Sequence, residues 1–337
     1  MMAPYSCLTI DRNLMLLDIL AILAGFALLI WSADKFVEGA SAVAQNLKIS
    51  PLLIGLVIVG FGTSAPEMLV AAFASYEGSP GLAIGNALGS NITNIALVLG
   101  VTALIVPLRV HSGILKREMP ILLGIMAIIL VMFLDHSLSL IDGLILAAGL
   151  ILVMTWLSRQ ALKETTDPMS EEFENELAEK PMTMGKASTI LFISLLVLLG
   201  SSRLLVWGAT NIAVELGVSD LIIGLTIVAI GTSLPELAAT IMSAYKKEHD
   251  IALGNIIGSN IFNMLGVLAI PAIMAPGSLP EGVLDRDLPW TIGLTLLLFV
   301  MAYGFKSAGY LSRIKGGILL ACFIAYEIVL YLSATSG

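Results

Sequence analysis

The sequence is short of residues that face water. Asp, Glu, Lys and Arg make up 12% of 337 residues, about half the share a soluble domain carries. That shortage excludes an ordinary water-facing surface. Cysteine is scarcer still: Cys7 and Cys322 offer neither a disulfide framework nor metal-ligand spacing. Three histidines, His111, His136 and His249, all lie outside apolar runs, which argues against a histidine metal centre. Hydrophobic residues fill the gap at 58%, with a mean hydropathy of +0.97. The formal charge of −8 is gathered largely in one loop. No nucleic-acid partner and no cofactor are expected.

What is present reads as membrane. About 20 apolar residues cross a hydrocarbon core, and that ruler places ten spans at 14–33, 51–76, 81–106, 118–134, 138–157, 187–208, 220–245, 250–275, 288–304 and 315–333. The expected fold is an all-α polytopic membrane protein. Trp31, Trp156, Trp207 and Trp290 fall near expected span ends, where interfacial aromatics belong. The first run could be taken for a signal peptide. Only Arg12 precedes it, offset by Asp11, and the repeat described next needs this helix, so it is kept as a span.

With ten spans, one set of loops carries 14 Lys and Arg and the other only Arg12, Arg203 and Arg286. The rich side should be cytoplasmic, with both termini outside and the chain in the plasma (inner) membrane of a prokaryote.

The chain contains a repeat. Residues 50–67 read SPLLIGLVIVGFGTSAPE and 219–236 read SDLIIGLTIVAIGTSLPE, identical at 12 of 18 positions. Residues 82–94 read LAIGNALGSNITN and 251–263 read IALGNIIGSNIFN, identical at eight of 13. Both pairs share one offset of 169 residues. Five spans per half oblige the second half to enter the bilayer from the opposite face, the inverted plan of secondary transporters, whose site lies near the midplane. The expected organisation is a first five-helix repeat at 14–157 (motif 60–94), an acidic cytoplasmic linker at 158–186, and a second repeat at 187–333 (motif 229–263). The linker reads as solvated chain, with no EF-hand spacing.

Glu67 and Glu236 sit at matching places inside apolar runs. A carboxylate at the bilayer centre costs at least ~2.5 kcal/mol and usually marks an ion pathway. No Lys or Arg lies within an expected apolar interior to pair with either. Each follows a proline, Pro66 or Pro235, whose missing amide hydrogen releases the carbonyl four residues earlier, Gly62 or Gly231. Freed carbonyls survive in lipid only against a cavity or a partner. Carboxylate, hydroxyls and carbonyls in one broken stretch are hard oxygen ligands, suited to Ca2+ and Na+ rather than zinc or copper.

A second motif accompanies the first. Asn86, Ser90 and Asn94 are spaced four apart, as are Asn255, Ser259 and Asn263, so each trio lines one helix face. Gly85 and Gly89, like Gly254 and Gly258, form GxxxG pairs that let helix backbones approach closely.

Residues 62–67 (GTSAPE) with 85–91 (GNALGSN), and their partners at 231–236 and 254–260, resemble the α-repeats of the cation/Ca2+ exchanger superfamily, in particular its prokaryotic Na+/Ca2+ exchanger group. The resemblance spans both halves. It implies a Ca2+ site built from Glu67 and Glu236 with the backbone carbonyls of Thr63 and Thr232. It implies flanking Na+ sites from Ser64, Ser90 and the Gly60 carbonyl, and from Ser233, Ser259 and the Ala229 carbonyl, with Asn94 and Asn263 at the centre. Some relatives have aspartate at one of these last two positions, tied in K+-dependent members to K+ transport; here both are asparagine, which argues against K+ dependence.

The expected function is therefore antiport of Ca2+ against Na+ by alternating access, in a chain that acts as a monomer within the lipid bilayer and is not an enzyme. Two carboxylates carry −2, which one Ca2+, two Na+ or two H+ would neutralise; a third Na+, as the family implies, would make exchange electrogenic. A Ca2+/H+ antiporter, a passive cation channel and a membrane-embedded acid/base enzyme are the alternatives. An enzyme would want a nucleophile, a metal triad or a phosphate cradle, and none is evident.

Overall fold

A computed structural model describes residues 12–110, 117–163, 182–215, 229–303 and 309–335. Its ten helical segments are α1 (Arg12–Leu47), α2 (Pro51–Tyr76), α3 (Pro80–Ile105), α4 (Glu118–Phe133), α5 (Leu140–Lys163), α6 (Met184–Glu215), α7 (Ala229–Thr232 and Leu234–Tyr245), α8 (His249–Met274), α9 (Leu288–Ala302) and α10 (Arg313–Thr335). Expected and observed segments correspond one to one. The expected span 220–245 begins within residues 216–228, and the linker at 158–186 includes 164–181; both stretches lie outside the described residues.

Two helices run longer than expected. The span 14–33 ends where charge begins, at Asp34, and 187–208 ends on a stretch of small and polar residues, yet α1 continues to Leu47 and α6 to Glu215. At 1.5 Å per residue, 36 and 32 residues reach about 54 and 48 Å, well beyond a hydrocarbon core of about 30 Å. Trp31 and Trp207 therefore lie within helices rather than at their ends. Helix continues past the apolar stretch because its polar side chains find partners, such as Lys246 for Asp34. No Lys or Arg is expected within the apolar interior of a span; the full helices contain Lys35 in α1 and Lys186 and Arg203 in α6, Arg203 near the end of the expected span 187–208.

α1 and α6 lie antiparallel along one another in close contact. A Cβ at Gly39 would stand 2.7 Å from the Leu191 amide nitrogen, and one at Gly208 would stand 2.8 Å from the Asp18 carbonyl oxygen. Near that second crossing Asn211 Nδ2 donates to Asp18 Oδ1 at 2.8 Å. Asp18, in the first apolar run, is a buried acid that sequence reasoning passed over.

The centre of the molecule is α8, buried over 89% of its most apolar window; the same measure is 17% for α5 and 22% for α10, which form the lipid-facing rim. Glycine allows α8 its close crossing with α2. A Cβ at Gly258 would fall 2.2 Å from the Leu56 carbonyl oxygen, and one at Gly254 would fall 2.6 Å from that of Leu52. These glycines work as backbone contacts, as the GxxxG spacing suggests. The counterparts that Gly85 and Gly89 would meet, residues 221 and 225, lie outside the described residues.

Two features depart from a plain helical reading. Short antiparallel ribbons join helix ends: β1 (Leu108–Val110) with β4 (Gly309–Leu311), and β2 (Ser137–Leu138) with β3 (Gly277–Ser278). Strands of two or three residues are too short for a period-2 pattern to announce. Helices also widen into π turns at Ile54–Val59, Thr93–Val98, Asn263–Val267 and Val283–Asp287. π turns often accompany functional sites, and the middle two occupy matching places in the two halves.

Candidate ion-binding site

The site begins with two broken helices. α2 is interrupted at Ser64 and α7 at Ser233, with nearly identical backbone angles of φ −81°, ψ 1° and φ −91°, ψ 5°. Pro66 and Pro235 follow in the first turn of the next segment, where a missing amide hydrogen costs nothing. Glu67 and Glu236 occupy those same first turns. Each carboxylate thus sits at the amino end of a half-helix, where exposed amides and the helix dipole favour negative charge.

The carbonyls loosened by the prolines are not left to solvent. Ser202 of α6 donates to the Gly231 oxygen at 2.8 Å, and the Ser64 amide turns toward the oxygens of Gly60 and Gly62. The position matching Ser202 in the first half is Ala33, so this support exists on one side only.

Glu67 and Glu236 are each 1% exposed and lie close enough for their charges to act on one another. α3 and α8 close the site from both sides. Thr63 Oγ1 reaches Asn255 Oδ1 at 3.0 Å and Ser259 Oγ at 3.2 Å, both in the other half. Ser259 Oγ also donates to the Gly60 carbonyl at 3.3 Å. Asn86 and Asn255 donate to the main-chain oxygens of Glu67 and Glu236, at 3.3 and 3.4 Å. Ser90 is buried. Thr232, half-buried, ends the short first segment of α7, and Ala229 begins it at the edge of the described residues.

At the midline the two halves exchange asparagines. Asn94 Nδ2 donates to Asn260 Oδ1 at 3.1 Å, and Asn263 Nδ2 to Asn91 Oδ1 at 3.3 Å. Asn91 and Asn260 were not among the expected site residues. Their signal was available: each stands three residues before Asn94 or Asn263, on the same helix face, and each is repeated across the 169-residue offset. Thr240, which accepts from Asn255 at 2.9 Å, is a second omission; its counterpart is Ala71, so no repeat pointed to it.

The chemistry of the site lies in what these bonds leave over. Glu67 Oε2, both Glu236 carboxylate oxygens, Asn94 Oδ1, Asn263 Oδ1 and the hydroxyls of Ser64 and Ser233 are buried without a hydrogen-bond partner among the described residues. A buried polar atom left unpaired costs about 1–3 kcal/mol, more when charged. The amide nitrogens of Asn91 and Asn260 are unpartnered there as well, so the set is mixed, with oxygens of the kind that suit hard cations in the majority. Among the described residues no three His, Cys, Asp or Glu gather together, which sets this arrangement apart from a resident zinc centre.

An inverted pair of five-helix halves with broken helices and acids at its centre defines a secondary transporter. Comparison with known proteins agrees. The family described as sodium/calcium exchanger protein matches residues 17–159 and 186–332. CaxA of Alkalimonas amylolytica is 46% identical over 322 residues, covering 95% of this chain and 100% of its own. The inner membrane protein YrbG of Escherichia coli (strain K12) is 39% identical, with 94% and 98% coverage. The solved structure of the sodium-calcium exchanger NCX_Mj superposes with a TM-score of 0.79 at 32% identity, covering 92% of this chain and 97% of that one. The chain belongs to the sodium/calcium exchanger family of membrane antiporters. It is a transporter, not an enzyme.

Proposed function

We propose that this protein exchanges Ca2+ for Na+ across the plasma (inner) membrane by alternating access, with both termini outside. The observation that carries the reading is the set of buried, unpartnered oxygens around Glu67 and Glu236. Two carboxylates with neutral amide, hydroxyl and carbonyl oxygens suit hard cations. Ca2+ would rest between Glu67 and Glu236 with the Thr63 and Thr232 carbonyls. Na+ would take the flanking positions at Ser64, Ser90 and Gly60, and at Ser233, Ser259 and Ala229, with Asn94 and Asn263 between them. The names of the family and of NCX_Mj support the choice of ions, and the name of YrbG supports the inner membrane.

One Ca2+ neutralises a site of −2, as two Na+ would. A third Na+ leaves the loaded carrier at +1, and moving that charge through 100 mV is worth roughly 2.3 kcal/mol. Na+ entry then drives Ca2+ exit. The test is 45Ca movement in proteoliposomes under imposed Na+, K+ or pH gradients. An outward Na+ gradient should drive Ca2+ uptake, faster when an inward K+ diffusion potential makes the interior positive, because three Na+ leaving for one Ca2+ entering carries one net positive charge outward. Transport that ignores Na+ and potential and follows only pH would replace Na+ by H+ as the coupling ion.

A further inference from the structure

The two halves carry a second matched feature, at the ends of the molecule rather than its centre. On the lysine-rich face, Asp34 of α1 pairs with Lys246 of the α7–α8 turn, Oδ1 to Nζ 2.8 Å. Beside it Ser41 Oγ donates to Glu248 Oε1 at 2.8 Å. α1 lies along the Leu234–Tyr245 segment of α7 at this end, and its side chains form an apolar cluster with Ala238, Ala239 and Met242.

Adding the repeat offset of 169 places the same relationship on the opposite face. Asp34 corresponds to Arg203 of α6, and Lys246 to Glu77 of the α2–α3 turn. The partners still carry opposite charges, but each sign is reversed. Inheritance from a duplication would copy residue types; here neither type survives while the attraction does. Ser41 and Glu248 correspond to Thr210 and Ser79.

On this second face the contacts are open. Arg203 and Glu77 are exposed and make no ion pair among the described residues. Thr210 Oγ1 has no hydrogen-bond partner among the described residues. α6 has no packing against the Ala65–Tyr76 segment of α2 comparable to that of α1 on α7. Leu69 and Phe73, which correspond to Ala238 and Met242, are 50% and 61% exposed. One end of the transporter is latched and its equivalent is not.

We propose that Asp34–Lys246 and Arg203–Glu77 are the two locks of one gate, closed in alternation. In the state described here the cytoplasmic lock is made. In the opposite state α1 leaves Lys246, α6 settles on Leu69 and Phe73, and Arg203 meets Glu77. An ion pair at a protein surface contributes at most about 1 kcal/mol, which suits a lock that must open in every cycle. The inference rests on the alternating-access reading above, and adds to it which contacts hold each state.

The test reads closure of the outer end directly. In a background of Cys7→Ser and Cys322→Ser, Thr210→Cys and Ser79→Cys are introduced together and bridged with a short bifunctional thiol reagent in proteoliposomes. Bridging should respond to Ca2+ and Na+. Lys246→Glu, which repels Asp34, should raise the bridging rate about fivefold, and Glu77→Lys, which repels Arg203, should lower it by a similar factor. Asp34→Lys with Lys246→Asp should return it to the parent value. Bridging that responds to ions but ignores both reversals overturns the locks alone. Bridging that ignores the ions as well overturns the alternating-access reading with them.

Discussion

Thr63, on the broken turn of α2, and Asn255, on the central helix α8, are joined at 3.0 Å across the boundary between the two halves. Asn255 is itself held from behind by Thr240 at 2.9 Å, so one amide fixes the turn that carries a proposed Ca2+ ligand. Asn255→Ala removes one bond from each hydroxyl, Thr63 keeping Ser259 and the Val59 carbonyl, at a cost of about 0.5–1.5 kcal/mol per bond. Thermal unfolding in detergent should show that loss, and the Ca2+ concentration for half-maximal exchange should rise. Thr240→Ser, which keeps the hydroxyl, should stay near wild type in both.

Ser64 and Ser233 are buried hydroxyls with nothing to bond among the described residues. If each is a Na+ ligand, Ser64→Ala or Ser233→Ala removes one neutral oxygen, worth about 0.5–1.5 kcal/mol. The Na+ needed for half-maximal Ca2+ efflux should rise roughly three- to tenfold. Ca2+–Ca2+ exchange, measured with 45Ca in the absence of Na+, should change little.

Much of this site is legible in the amino-acid sequence, and the reason is duplication. Glu67 and Glu236 stand out because an apolar run tolerates an acid only at cost, and because a Pro-Glu pair occupies the same repeat position in each half. Asn91 and Asn260 were missed because the polar stripe was traced at four-residue spacing alone, although three-residue spacing shares the face. Thr240 and Ser202 were missed because their counterparts, Ala71 and Ala33, break the repeat. The π turns have no residue signature. The extra length of α1 escaped because Asp34, Lys35 and Glu38 end the apolar window, and only the fold brings Lys246 to answer them.

Close crossing of α8 with α2 gives a prediction about folding rather than transport. Gly258→Ala would put a methyl 2.2 Å from the Leu56 carbonyl oxygen, so the helices must part; overpacking of this kind costs about 1–3 kcal/mol. Gly293→Ala in α9 meets no atom of the described residues outside its own helix within 4 Å and should be neutral or stabilising by helix propensity. Size-exclusion after a heat step separates the two outcomes.

Glu248 should make the proposed latch at the lysine-rich end sensitive to acid. Burial in the packed turn raises its proton affinity above that of an ordinary glutamate; the Ser41 bond opposes this, Asp250 adds to it, and Lys246 opposes it. A group with a raised value in one state and an ordinary value in the other favours the first state as pH falls through the raised value. Acidification should therefore hold the lysine-rich end closed, and rising pH should release it. Bridging of Thr210→Cys to Ser79→Cys should fall as cytoplasmic pH is lowered. Glu248→Gln, which retains an oxygen for Ser41, should remove that part of the pH dependence.

The central claim is that Glu67 and Glu236 together bind one Ca2+ that Na+ displaces. Equilibrium binding of 45Ca to the purified protein tests it without any need for transport. One Ca2+ should bind per chain, displaced by Na+ more steeply than the first power of its concentration. It predicts an affinity loss on the order of a hundredfold or more in Glu67→Gln and again in Glu236→Gln, in protein that still elutes as a folded species. Ca2+ bound with wild-type affinity by either variant would contradict it.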